Sequence, residues 1–292
     1  MTTGATLRAL RGLVVLAFAA TVLAAAGCGG STTVTGPAIL PAAVYRLVHF
    51  EPSGPVAAGK TVRMSFAIKQ PSGATLTSYK HCCEPHAGVD LIIVRSDDSN
   101  VQYDDSDIAP DGQITQPVVF PAPGRYRIVI DTYPRQTSPQ SPRNFQLFTW
   151  VTVKGRYRPQ PLPPFQATHL VHGYRFQIEG HPQLHAIQAS FLTINVRTPD
   201  GNKAVFGSWR GALAHALFIH QGSLDYFHTH VCGSGAVYCA SLLGSAKVTG
   251  SSRARGQLKV GVLLPEAGTW RMFLLTYIDG HQLTVPFTLR VR

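Results

Sequence analysis

One block of sequence occurs twice, and it constrains the fold more than any other feature. PAPGRYRIVIDTY (121–133) and PEAGTWRMFLLTY (265–277) share a Pro, then a Gly, an aromatic, an Arg, an apolar run and Thr-Tyr. The segments around it repeat in the same order. MSFAIKQPSG (64–73) corresponds to LTINVRTPDG (192–201), GVDLIIVR (88–95) to LAHALFIH (213–220), and FQLFTWVTV (145–153) to LTVPFTLRV (283–291). A duplicated module must fold the same way twice. Each copy carries roughly seven short, alternating or apolar strand-like runs separated by Gly/Pro turn signals, the pattern of an immunoglobulin-like β-sandwich. No sustained helical period occurs beyond the N-terminal segment. The expected fold class is therefore all-β, with two tandem immunoglobulin-like β-sandwich domains at 44–154 and 167–292. The Pro-rich stretch 155–166 (RYRPQPLPPF at its centre) should act as a semi-rigid spacer, leaving the halves as beads on a tether. In the repeated block, Tyr126 and Trp270 are expected to be core residues entering a strand from a turn.

The N-terminus has the order of an export signal. Arg8 and Arg11 precede an apolar run from Leu13 to Ala26 that is shorter than the roughly 20 residues a spanning helix needs. The run leads through small residues to Leu23-Ala-Ala-Ala-Gly-Cys28, which resembles the lipobox of bacterial lipoproteins, with Ala25 where Leu is usual. That resemblance implies cleavage after Gly27 and a lipid on Cys28. The protein would then be extracytoplasmic and anchored to the cell membrane through residues 28–43, a Gly/Ser/Thr/Pro tether. Losing Arg8 and Arg11 lowers the formal charge from +11 to +9. The excess lies in the second half, with 11 basic and 5 acidic residues over 167–292 against 11 and 10 over 44–154. Such a surface favours anionic headgroups. No basic run is interleaved with stacking aromatics, which argues against a nucleic-acid partner.

Four further cysteines, Cys82, Cys83, Cys232 and Cys239, would meet an oxidising compartment. Of their three pairings, the one that joins adjacent Cys82 and Cys83 is strained and ranks last. The other two would cross-link the halves. A secondary metal site on these cysteines with His81 and His86 is the competing use.

The densest chemistry lies in GALAHALFIHQGSLDYFHTHVCG (211–233). Strands from Leu213 to His220 and Leu224 to Val231 around a turn at Gly222 would set His215 opposite residues 228–230. Alternation puts His228 and His230 on one face, and cross-strand pairing lets His215 join them. Three imidazoles of this kind suit Cu(II), Zn(II) or Ni(II). The plain reading is that they are polar surface. His220, at the turn, is too far away and should be solvated.

Gly211-x-x-x-His215, Tyr226-Phe-His-Thr-His230, Pro265-x-x-Gly-x-Trp270 and Val285-Pro-Phe287 together resemble the YtkA-like/FixH-like group of exported immunoglobulin-like domains. The likeness covers roughly 185–292 and departs at Val231, where Pro is usual. It implies copper or heavy-metal handling, with His215, His228 and His230 as ligands. In the first half the corresponding positions are Asp90, Tyr103 and Asp105, so that copy lacks the imidazoles. Its acidic stretch 96–107 could instead hold a hard cation. No nucleophile–base pair or carboxylate pair is brought together by any spacing, so an enzyme is not expected. Only Met64 and Met272 follow the signal, which argues against a Met-rich Cu(I) carrier. The expectation is a membrane-anchored extracytoplasmic lipoprotein that buffers or delivers copper or another heavy metal. The alternative is a non-catalytic cell-envelope binding or structural module without a metal.

Overall fold

The computed structural model describes residues 44–80, 88–135 and 144–292, apart from 235, 237, 238, 240, 241, 244 and 245. Cys28, the tether, His81, Cys82, Cys83 and His86 lie outside the described residues. The described chain is all-β, and no helix in it is long and apolar enough to cross a membrane.

Each half is an immunoglobulin-like β-sandwich. In the first, Arg46–Glu51, Thr61–Lys69, Ile114–Val119 and Asp107–Ile108 form one sheet in that order. Val56–Ala57, Phe145–Lys154, Gly124–Thr132, Val89–Arg95 and Val101–Asp105 form the other. Period-two alternation decides what lies between them. Met64, Phe66 and Ile68 from the first sheet meet Leu91, Ile93, Ile128 and Ile130 from the second. Tyr126 and Trp270 are fully buried, as the repeated block predicts.

In the second half the sheets are joined along one side. Gly250–Ser251 pairs in parallel with the end of Tyr226–Cys232 and antiparallel with Gln257–Val262. The approach there admits only glycine. A Cβ on Gly250 would sit 2.2 Å from the Lys259 carbonyl oxygen, and one on Gly261 only 1.8 Å from that of Val248.

The halves are not beads. Residues 43–292 form one compact unit. A third hydrophobic cluster joins Ile92, Val94, Tyr103 and Val129 of the first half to Leu217, Ile219, Leu224, Phe273 and Leu275 of the second. Register shows that many of these positions are equivalent. Ile92 pairs with Tyr103 and Val129 in the first half, as Leu217 pairs with His228 and Phe273 in the second. The same surface of the module is thus used twice, face to face. Val89–Arg95 is consequently buried along its whole length, and Ala214–His220 along all but its last residue. Continuous apolar runs mark strands covered on both faces, and GVDLIIVR and LAHALFIH have that character.

Polar contacts reinforce the junction. Arg127 donates to the carbonyls of Ser223 and Leu224 in the opposite hairpin turn, at 2.8 and 2.6 Å. Its equivalent, Arg271, is attracted to Asp98 in the turn of the first-half hairpin. The linker is strapped to the first half rather than free. The Gln160 amide donates to Asp97 at 2.8 Å, Arg95 reaches the Arg158 carbonyl at 3.4 Å, and Ser96 bonds Tyr157 at 3.1 Å.

Candidate metal centre

The hairpin Ala214–His220/Tyr226–Cys232 positions the three histidines by register alone. His215 lies directly opposite His230, and Leu217 opposite His228, so His228 is the diagonal neighbour of His215. Alternation sends Phe227 and Val231 into the core of the second half. Thr229, buried on that same side, bonds the Val248 carbonyl at 2.9 Å. The imidazoles occupy the opposite face, which is the face turned to the first half.

One ring nitrogen from each of His215, His228 and His230 lies within 4.8 Å of the other two. The His215 ring is fully buried (0% exposed) beneath Trp209 and Tyr103, at 5.2 and 5.3 Å between centroids. Its Nε2 is 3.1 Å from the Trp209 carbonyl oxygen. A carbonyl only accepts, so Nε2 carries the proton and Nδ1 presents a lone pair to the cluster. That Nδ1 is 3.1 Å from His228 Nε2. A bonded, oriented imidazole of this sort is the usual preparation of a metal ligand.

The first half closes the site. The Tyr103 ring packs 5.5 Å from His228, and Arg210 lies over Tyr103 and pairs with Asp105. Asp131 Oδ2 is 3.9 Å from His228 Nδ1. Burial first, and repulsion from Asp90 second, push the Asp131 carboxyl up to about 7, against hydrogen bonds from Asn144 and Tyr133 and the attraction of His230. Burial also raises the phenols of Tyr103 and Tyr226 well above the ordinary tyrosine range.

The three histidines predicted to converge are brought together. His220 stays outside the cluster, as expected, and is half-buried rather than fully solvated. It bonds Ser223 at 2.9 Å, pairs with Glu266 at 3.0 Å, and packs on Trp270. The expected cross-link between the halves is absent for Cys232 and Cys239, which are bonded to each other within the second half. They flank one short loop, so closing it needs no long-range approach. This also removes Cys232 as a thiolate ligand. The acidic stretch 96–107 gathers no metal-sized cluster among the described residues. Asp97 bonds Arg95, and Asp105 pairs with Arg210. Asp98 is buried, and its carboxyl rises to about 7 through desolvation and then repulsion from Asp97, opposed by Arg271.

Sequence reasoning named Asp90 and Tyr103 only as counterparts of the histidines and overlooked Asp131, Trp209 and Arg210 as neighbours. A signal for Asp131 was present. Its place in the repeated block is taken in the other copy by apolar Leu275, each residue lying opposite the hairpin position that carries Asp90 or His215.

Residues 169–292, the half that bears the histidines, match the family model of a domain of unknown function (DUF8832). No curated protein is significantly similar to the chain. Among solved structures, the chain is similar to domains 4 and 5 of the S-layer protein SbsC, with 12% identity over 85% of this chain and 97% of that one, at a TM-score of 0.21. Invasin, a bacterial integrin-binding protein, matches at 10% identity over 85% of this chain and 39% of its own, TM-score 0.23. Salmonella alpha-2-macroglobulin reacted with methylamine matches at 9% identity over 85% and 14%, TM-score 0.27. Likenesses this distant carry no argument about function.

Proposed function

We propose that this protein is a non-catalytic, extracytoplasmic binding module that holds a divalent transition-metal ion on His215, His228 and His230. Copper is the favoured ion, and zinc suits the same donors. The observation that carries the reading is the convergence of three ring nitrogens within 4.8 Å, with His215 fixed by the Trp209 carbonyl so that its Nδ1 faces the others, 3.1 Å from His228 Nε2. The site lies on strands packed on both faces, so its ligands are held without much ordering cost. Lipid on Cys28 would keep the module at the outer face of a membrane, where it buffers the ion or passes it on.

A purely structural envelope role without metal is the second reading. It is favoured by the His215–His228 hydrogen bond and by the large shared core, which hold the cluster together without an ion.

The deciding experiment uses the full chain, since both halves build the site. The chelator-treated protein is titrated with Cu(II) and with Zn(II) by calorimetry, alongside a His228→Ala/His230→Ala variant. Saturable binding in the wild type and at least a 100-fold loss in the variant are expected. Thermal stability should rise with metal, by about 2.7 kcal/mol at 100 times the Kd. Equal, negligible binding by both proteins leaves the structural reading standing.

A further inference from the structure

Two carboxylates of the first half lie outside the ligand set just proposed. Asp90 and Asp131 sit directly opposite each other on Val89–Arg95 and Gly124–Thr132, and both are buried. Like charges facing each other across a ladder repel, and burial makes the repulsion worse. Yet both are acids rather than amides or apolar residues, at a place where the second copy has His215 and Leu275. Tyr133 donates to Asp131 Oδ2 at 3.3 Å. Asp131 Oδ1 is buried and accepts no hydrogen bond among the described residues.

A second three-donor set results. One oxygen from each of Asp90 and Asp131 and one nitrogen of His228 lie within 4.8 Å of one another. His228 therefore belongs to both sets, through opposite sides of its ring. Nε2 faces His215 at 3.1 Å, and Nδ1 faces Asp131 at 3.9 Å.

We propose that the interface binds two divalent cations, one on His215, His228 and His230 and one on Asp90, Asp131 and His228, bridged by the His228 ring. The inference rests on the metal-binding reading above and deepens it. On binding, neutral His228 takes the tautomer protonated at Nδ1, so the first ion takes the Nε2 lone pair in place of the hydrogen bond to His215. The second takes the Nδ1 lone pair exposed when the remaining ring proton leaves for solvent, so the bridge is an imidazolate. Its single negative charge and those of the two carboxylates offset three of the four positive charges brought by the ions. Because the donors come from both halves, filling the pair of sites fastens one sandwich to the other.

The test uses the full chain stripped with chelator and loaded with Cu(II) alone. Bound copper is counted by equilibrium dialysis with elemental analysis, and the spins are read by low-temperature electron paramagnetic resonance. Two Cu(II) per wild-type chain are expected, with integrated intensity well below that of two free spins because the bridge couples them. Asp90→Asn/Asp131→Asn should hold one Cu(II), with the full signal of a single isolated spin. A wild type that binds one Cu(II), unchanged in number by the Asn substitutions, overturns the two-ion inference while leaving the three-histidine site intact. In that case Asp131 only orients His228 from behind. Two magnetically independent Cu(II) ions in the wild type also overturn it. No bound copper overturns both readings. The wild-type count and spin coupling need no variant, so the result does not depend on whether the double variant folds.

Discussion

The two hairpins that meet at the centre of the molecule are copies of one design put to different uses. Val89–Arg95/Val101–Asp105 and Ala214–His220/Tyr226–Cys232 share a register, so that Asp90, Tyr103 and Asp105 stand where His215, His228 and His230 stand in the other copy. The first copy offers hard oxygen donors and a phenol, and the second offers imidazoles. Packed face to face, they bring Tyr103 against His215 and His228, and the strand paired with the first hairpin brings Asp131 towards His228. Had both copies kept histidine, or both kept aspartate, the interface would bury like groups against like. Divergence after duplication is what makes the junction chemically complementary.

The comparison can be broken most forcefully at its apolar centre. Phe273 and Val129 are equivalent positions in the shared cluster, but the Phe is far larger. Phe273→Ala should cost about 3–5 kcal/mol by denaturant unfolding. Val129→Ala should cost distinctly less. Equal effects would mean that the two copies contribute alike. Next in size is conversion of the second hairpin towards the first. His215→Asp should lower Cu(II) or Zn(II) affinity at least 100-fold, about 2.7 kcal/mol, as read by calorimetry, with the fold retained in circular dichroism. Unchanged affinity would show that His215 is not a ligand.

The arginines that cross the junction sharpen the comparison further. Arg127→Ala leaves the Ser223 and Leu224 carbonyls without that donor and should cost about 1–3 kcal/mol in a denaturant midpoint series. The smallest effect is a slope. The folded-state pKa of Asp98, about 7, lies above the carboxylate reference of 3.8. The protonated form is thus favoured by folding. Its contribution is complete below pH ~4 and is lost as pH rises through ~7. In Asp98→Asn that segment of the stability profile should flatten relative to wild type. An identical pH dependence in the two proteins would mean that Asp98 is not held neutral by its surroundings. Arg271, the charged group attracted to it, is unaltered in this comparison.

Much of this was legible in the chain. The repeat implied two sandwiches because strand alternation and Gly/Pro turns are local signals, and the structure has two. The hairpin turn at Gly222 set the register within a residue, which is why His215, His228 and His230 could be grouped in advance. What failed was the idea of beads. LAHALFIH and GVDLIIVR were apolar on both alternating faces, and one sandwich core covers only one of them. The second face had to be covered by something, and the other copy covers it. Strain at adjacent Cys82 and Cys83 does not decide the partner of Cys232, which is Cys239, close by along the chain.

The sequence by itself determined which side chains share a face and which are cross-strand neighbours. Both follow from a period of two and a short turn. Only the tertiary structure decided what that face meets. Alternation says which side a residue is on and is silent about what lies beyond it. Asp131 is far from His228 along the chain, and no local rule links them. They are neighbours because two copies of one apolar surface are buried against each other, with the polar residues at its edge carried into contact.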